Sequence, residues 1–443
     1  MTTPSILRAR GPFDALDAST RRAITDRGTT LDPAIRLRTT AMIGRVRAEG
    51  DIALRAFAQE FDGVTLDAIE VPRARWTAAL DALDPALRAV LERAERNIAA
   101  VHNAFRPTIT RVSPEPGITI ARRPDPLQRV GVYAPGGRAA YPSSLLMGAI
   151  PARVAGVSEV IVCSPPGANG EPSAIVLAAA ALANVDHVFA VGGAGAIAAM
   201  AYGTATIPVV DRIVGPGNAY VAEAKLQVVS RVTIDAPAGP SELLVLATDD
   251  ADPTVIAREM LAQAEHDPDA AVVAFLCGDR AATLAELVEM ELTALVRSTP
   301  RRAIVEESLA ARGAIVTVNT LEAAIALSNE WAAEHLLLLV PDADRDATLA
   351  ALRSAGTIFV GPSSSVAFGD YMTGANHVLP TGGASRCYSG LSTLDFVRWT
   401  TWQEVSVTAA AALADDVGRF ADAEALPAHA AAARAWELTG SAP

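Results

Sequence analysis

Apolar positions change rhythm twice along this chain. In the first hundred residues they recur three and four apart, the spacing of helices with one buried face. Asp32-Pro33 and Asp84-Pro85 each offer an N-cap followed by proline in the first turn, and Leu83 to Phe105 keeps the helical spacing up to Arg106-Pro107. From Gln128 the rhythm shortens. Arg129-Val130-Gly131-Val132-Tyr133 runs into Pro135-Gly136-Gly137, Glu159-Val160-Ile161-Val162 into Ser164-Pro165-Pro166-Gly167, and His187-Val188-Phe189-Ala190-Val191 into Gly192-Gly193-Ala194-Gly195. Short apolar runs closed by glycine turns and followed by alanine-rich helices predict βαβ units and a mainly parallel sheet. Ligands of such sheets sit at the carboxyl ends of the strands, where these glycine loops lie. A second α/β stretch runs from Leu243 to about Gly361, with strands near 243–246, 271–276, 336–340 and 357–360. After a Gly/Pro/Asn-rich loop at 361–390 the chain reads as helical to its end. The last fifty residues are too small and alanine-rich to bury a core alone, so they are expected to pack on another domain or subunit.

Composition narrows the function classes. A formal net charge of −13 lacks the basic footprint that nucleic-acid binding rests on, so no polyanionic partner is expected. Met1 to Asp32 carries no apolar stretch of signal-peptide type, and no later run approaches the length of a membrane span, so a cytoplasmic chain with no membrane partner is expected. Three dispersed cysteines, Cys163, Cys277 and Cys387, exclude a disulfide framework and a thiolate zinc finger. Any metal must then be held by nitrogen and oxygen. Cys163 and Cys277 follow apolar runs and read as small buried hydrophobes. Of 37 basic residues only Lys225 is a lysine. It marks either a place where a compact cation is needed and a guanidinium does not fit, or a chance survivor of a coding bias.

Chemistry-bearing residues concentrate around four of the six histidines. Gln263 and His266 fall in the last turn of a capped helix starting at Asp252-Pro253. The i, i+3 spacing lets them converge on one ion, although His and Gln are also ordinary at an exposed helix end. Glu334-His335 precedes Leu336-Leu337-Leu338-Leu339-Val340, where a titratable pair suits acid–base work and equally suits a cap and a packed imidazole. Adjacent residues of a strand face opposite ways, so one of the two would act through water. Gly369-Asp370-Tyr371 to Asn376-His377-Val378-Leu379-Pro380 is a compact loop able to project Asp370 and His377 together. Glu424 and His429 add an acid and an imidazole near the end. Gly193-Ala194-Gly195 fits a dinucleotide turn with Asp211 at ribose-acid distance, a pattern that glycine turns also produce for steric reasons. His102 and His187 read as packing residues.

Taken together, these segments resemble histidinol dehydrogenase over nearly the whole chain. The likeness is carried by Val130 to Gly137, Tyr141-Pro142-Ser143-Ser144, Val191 to Ala194, Gly215-Pro216-Gly217-Asn218 with Lys225, and Pro237 to Glu242. It continues through Gln263 to His266, Ala333-Glu334-His335, Gly369-Asp370-Tyr371, Asn376 to Pro380, and Glu424 with His429. The resemblance implies an α/β fold of two Rossmann-like parallel-sheet domains with a helical N-terminal segment and a helical C-terminal dimerisation arm. Its implied parts are an N-terminal extension 1–29, a discontinuous α/β domain 30–128 with 243–385, an NAD-binding domain 129–242, and an arm 386–443 packing on the partner subunit. It also implies a homodimer that oxidises L-histidinol to L-histidine with two NAD+, one Zn2+ per subunit, histidinal held between the steps, and active sites shared between subunits. On the same basis Gln263, His266, Asp370 and His429 are the zinc ligands, and His335 is the acid–base. Glu334 activates water for the second oxidation. Ser241, Gln263, His266, His335, Asp370, His377, Glu424 and His429 contact substrate, and Tyr133 and Asn218 contact NAD. Gly195 departs from the pattern, standing where an NAD-contacting glutamine is expected, and Asp267 follows His266 where glycine is frequent. Relatives acting on other small alcohols such as sulfonated diols, a zinc hydrolase, and a non-catalytic dinucleotide binder are the alternatives.

Overall fold

The computed structural model describes residues 5–27, 32–136 and 140–437; Gly137 of the predicted turn lies outside them. The chain divides into two compact units, Met1–Phe105 with Gln128–Phe396, and Arg106–Leu127 with Val397–Pro443.

Among the described residues the first unit holds two parallel sheets. The five-stranded one runs, edge to edge, His187–Ala190, Glu159–Ser164, Arg129–Tyr133, Arg212–Val214 and Thr233–Ile234. Its strands form where β-branched residues can pack on both faces, and Val130, Val132, Val160, Ile161 and Val162 are all fully buried. The chain first builds outward from Arg129–Tyr133 on one side, then returns to lay Arg212–Val214 on the other. The strand order therefore reverses between these two. A ligand crevice is expected at such a reversal, beyond the carboxyl ends of the two strands.

The six-stranded sheet runs Ala9–Pro12, Gly313–Val318, Ala271–Cys277, Glu242–Thr248, His335–Leu339 and Thr357–Val360, all parallel. Its central strands are continuous apolar runs, as burial on both faces requires. The first strand departs from the all-helical reading of the N-terminal hundred residues. Ala-Arg-Gly-Pro has no apolar alternation, and its place at the sheet edge asks for none.

Helix starts follow their caps. Asp32 accepts from Ala34 N (2.8 Å), Asp84 from Leu87 N (3.0 Å) and Asp252 from Thr254 N (2.8 Å), each with proline next in line. Cys163 and Cys277 are buried, and burial pushes both thiols up, Cys277 to about 11, so they behave as inert small hydrophobes.

The second unit is an antiparallel sheet, Val397–Val405 beside Ile118–Pro126 beside Thr110–Val112, with the helices Val407–Ala423 and Pro427–Arg434 packed on each other. Arg122 stacks over the Trp399 ring at 4.1 Å. The C-terminal segment thus carries a nine-residue strand before its helices, where the sequence read as helical throughout. Val397, Trp399 and Thr401 alternate with Arg398, Thr400 and Trp402, an aromatic and β-branched pattern that favours strand. Among the described residues no helix is long and apolar enough to cross a membrane.

Candidate active site

The crevice at the strand reversal is real and leads deep into the first unit. A cavity of about 350 Å³ is walled on one side by Tyr133, Pro135 and Gly136, and by Pro216, Gly217 and Asn218. Those are the loops following Arg129–Tyr133 and Arg212–Val214. Gly215 makes their close approach possible: its φ is +111°, and a Cβ there would lie 2.2 Å from the Tyr133 carbonyl oxygen. Tyr133 is buried with its hydroxyl at the start of the helix Gly193–Tyr202, accepting from Gly193 N at 3.1 Å. Burial, the main cause, pushes its hydroxyl up to about 12. Asn218 caps the helix Ala219–Val228, its side-chain oxygen accepting from Tyr220 N (3.1 Å) and Val221 N (3.2 Å). Its amide NH2 is what remains for a ligand.

The opposite wall comes from the six-stranded sheet, and here the expectation of carboxyl-end chemistry fails. Ser241, Glu242, Glu334 and His335 all stand at the amino ends of their strands. Glu334 is not in the strand at all. The helix Leu321–Trp331 stops at Ala332, held left-handed at φ +54°, and Glu334 occupies the bend that follows. The alternation of a strand therefore does not apply, and the two side chains converge instead of diverging. Glu334 Oε2 lies 3.4 Å from His335 Nδ1 and accepts from Ser241 Oγ (2.7 Å) and Glu242 N (2.6 Å).

His335 Nδ1 also lies 3.0 Å from the Glu242 carbonyl, which accepts its proton. That leaves Nε2, 3.8 Å from Asp370 Oδ1 and without a hydrogen-bond partner, as the ring atom free to exchange a proton. Burial alone pulls this imidazole down and is the largest single influence. The Glu334 charge and hydrogen bond, then Asp370 and the Glu242 carbonyl, outweigh it together and raise the group to about 9.

His266 and Asp370 line the same cavity, and both also line a second cavity of about 340 Å³ that runs to Val90, Leu91, Ala94 and Ile98 of the helix Pro85–Ala104. The preceding helix ends at Ala264, so His266 sits in the turn beyond it and not in its last turn. Gln263 is buried behind Ser241 and donates Nε2 to Ser241 Oγ at 2.7 Å, which turns its amide oxygen elsewhere. Among the described residues no three His, Cys, Asp or Glu side chains are close enough together to hold a metal ion. Of the four residues that the resemblance gives as zinc ligands, His266 and Asp370 line the main cavity, while Gln263 is buried behind Ser241. Imidazole, carboxylate and amide oxygen are donors chemically suited to zinc. His377 is fixed by Asp370 O (2.8 Å from Nδ1) and lies 3.4 Å from Ser144 Oγ through Nε2; burial lowers its pKa. Glu424 and His429 are exposed in the second unit, at the end of Val407–Ala423 and on Pro427–Arg434.

Residues 26–436 match the family model described as histidinol dehydrogenase. The histidinol dehydrogenase of Methanosarcina mazei is 45% identical over 397 residues, covering 89% of this chain and 90% of that protein. That of Natronomonas pharaonis is 45% identical over 416 residues, 94% and 96%. This chain belongs to the histidinol dehydrogenase family. The crystal structure of histidinol dehydrogenase from Elizabethkingia anophelis superposes with a TM-score of 0.93 at 30% identity, covering all of both chains.

Membership of the histidinol dehydrogenase family agrees with the resemblance read from the sequence and sets aside a zinc hydrolase or a non-catalytic dinucleotide binder. Two residues suggested by the turn pattern alone have other work. Asp211 accepts from Gln128 N and Arg129 N, both at 2.9 Å, tying the beginning of one strand to the beginning of its neighbour, at the end of the sheet away from the crevice. Gly195 is buried under the helix Asp51–Phe57: a Cβ would meet Phe57 Cδ2 at 2.9 Å and Leu54 Cδ2 at 3.4 Å.

One site residue escaped the sequence reading. Glu242 opens a strand buried over its first six residues, directly behind Glu334, and its carboxylate is paired with the buried Arg27 and accepts from Gly382 N at 2.9 Å. Burial pushes this carboxyl up to about 7, with Arg27 opposing. Arg27 in turn lies 3.3 Å above the Trp331 ring. An acid before a buried run was an ambiguous signal, since Glu159 stands in the same place before Val160-Ile161-Val162 and is partly exposed.

Proposed function

We propose that this chain oxidises L-histidinol to L-histidine through bound L-histidinal, with two NAD+ as acceptors. The observation that carries the reading is the Glu334–His335 pair, braced by Ser241 and opening on a cavity whose far wall is the strand-reversal crevice. The dinucleotide belongs in that crevice, against Tyr133 and the free amide of Asn218. The substrate belongs between it and the acid–base pair, within reach of Ser241 and His377.

In the first oxidation His335 Nε2 takes the proton of the substrate hydroxyl while the carbinol hydride passes to the nicotinamide, leaving aldehyde and NADH. In the second, Glu334 Oε1 takes a proton from water as the water oxygen adds to the aldehyde carbon, and His335 Nε2 gives its proton to the aldehyde oxygen. The resulting diol gives its hydride to a second NAD+ and leaves as carboxylate. Per histidinol, one water is consumed and two NADH and three protons are released, so atoms and electrons balance.

Gln263, His266 and Asp370, with His429 of the partner subunit, would hold one zinc ion per protomer. When bound, the ion supplies a positive charge that anchors the imidazole and amine of the substrate and opposes protonation of His335. The exposure of Glu424 and His429 in the second unit supports a site shared between the subunits of a homodimer. Relatives at 45% identity that are named histidinol dehydrogenase favour histidinol over a sulfonated diol.

The deciding experiment counts NADH formed per L-histidinol consumed by metal-analysed protein. Two NADH, abolished by chelation and restored by zinc, is the expected result. Zinc-loaded, NAD-binding protein with no turnover of histidinol would overturn the substrate.

A further inference from the structure

Lys225 is the single lysine of the chain, and it is buried on the inner face of the helix Ala219–Val228. Its ammonium donates to Asp235 Oδ1 and to the Gly215 carbonyl, both at 2.6 Å. Asp235 Oδ2 accepts from Gly215 N at 2.8 Å. The pair thus closes a ring on one residue, gripping both the N–H and the C=O of Gly215. Gly215 is the residue whose positive φ brings its loop against Tyr133, and the loop continues as Pro216-Gly217-Asn218 along the crevice wall.

We propose that Lys225, acting with Asp235, is the positioning residue that shapes the Gly215–Asn218 loop to receive the dinucleotide. The inference rests on the functional reading above, because it takes NAD to be the occupant of that crevice. Lys225 acts from behind the loop and is not part of the cavity wall, whereas Asp235 also lines the cavity. Two acceptors at 2.6 Å on a side chain that is 4% exposed demand a compact cation with rotatable donors, and a planar guanidinium is wider than this space. A chain that uses arginine at its 36 other basic positions, by subtraction of this one lysine from 37, keeps lysine here for that reason. The glycine adds to the demand: with a Cβ excluded at 215, the loop cannot be propped by its own side chain and must be held from behind.

The test uses full-length, zinc-loaded enzyme carrying Lys225→Met, and a second variant, Lys225→Met with Asp235→Asn. The double variant removes the clamp without leaving a lone buried charge, so it decides the matter if the single variant does not fold. The readouts are KM for NAD+ and for histidinol, kcat, and NADH affinity by fluorescence titration. The expected result is a rise of roughly ten-fold or more in NAD+ KM and in NADH dissociation constant, the loss of a charge-assisted hydrogen bond, with histidinol KM and kcat at saturating NAD+ changed far less. An unchanged NADH dissociation constant in the folded double variant overturns the proposal. So does a parallel loss in kcat and both KM values, the mark of a general structural defect. NADH titration needs no turnover, so a wild-type protein inactive with histidinol would refute the substrate while leaving the clamp to be judged on cofactor affinity alone.

Discussion

In the metal-free protein, replacing Glu334 by glutamine should release the proton that His335 holds at neutral pH. Glutamine fills the same space and can still accept from Ser241 Oγ and Glu242 N, but it carries no charge 3.4 Å from the imidazole. In the metal-free protein His335 titrates at about 9 although burial pulls it below its ordinary 6.5. The excess over 6.5 corresponds to about 3 kcal/mol in favour of the imidazolium. Glu334 supplies the two largest upward influences, ahead of Asp370 and the Glu242 carbonyl. In Glu334→Gln the midpoint should therefore fall by at least about one unit. The assay is a pH titration of chelated protein labelled at histidine Cε1. With six histidines in the chain, the His335 signal is assigned from its absence in His335→Asn.

Stability gives a second readout with a fixed sign. A folded-state value above the unfolded one stabilises fully below pH 6.5, and that contribution is lost as pH rises through 9. Chelated wild type should lose stability across that window relative to Glu334→Gln. A midpoint that stays near 9 in the variant would mean that Asp370 and the Glu242 carbonyl hold the proton, and that Glu334 and His335 do not act as a pair.

Two further predictions concern the shared site and a buried histidine. His335→Asn should keep its zinc while turnover falls by about 10²- to 10⁴-fold, the usual worth of a general acid–base. Mixed with zinc-deficient His429→Ala, it should regain part of the activity in verified mixed dimers, and no recovery there would count against sharing. His102 is 1% exposed, and burial lowers its pKa to about 4. A depressed value means that the unfolded chain takes the proton first. The stabilisation is then present above pH 6.5 and lost as pH falls toward 4, by about 3 kcal/mol in all. His102→Gln should remove that part of the acid sensitivity, and denaturation curves whose difference from wild type stays flat between pH 7 and 4 would contradict it.

Legibility in the sequence followed the range of the forces involved. Strands such as Arg129–Tyr133 and Ala271–Cys277 were readable because burial on both faces demands an unbroken apolar run, and helix starts because Asp-Pro is a local device. The direction of the second sheet was not readable. The sequence places Glu334-His335 just before a strand but does not say that this amino end faces the carboxyl-end crevice of the other sheet, since that depends on how one sheet meets the other. The convergence of Glu334 and His335 turned on one left-handed residue, Ala332, which has none of the usual glycine or asparagine signature. Asp211 misled for a different reason: its distance from the glycine turn suited a ribose, while its partners are backbone amides at the opposite strand ends. The strand Val397–Val405 was legible in its Trp and Thr alternation and was obscured only by the alanine-rich helices that follow.

The packing of Phe57 on Gly195 makes two distant positions inherit as one character. A side chain at 195 requires the ring at 57 to shift, and a shrunken 57 beside glycine leaves a hole in the core. Substitution at either position is therefore coupled to the other through this contact. Along a lineage, a glutamine gained at 195 should arrive with a smaller residue at 57.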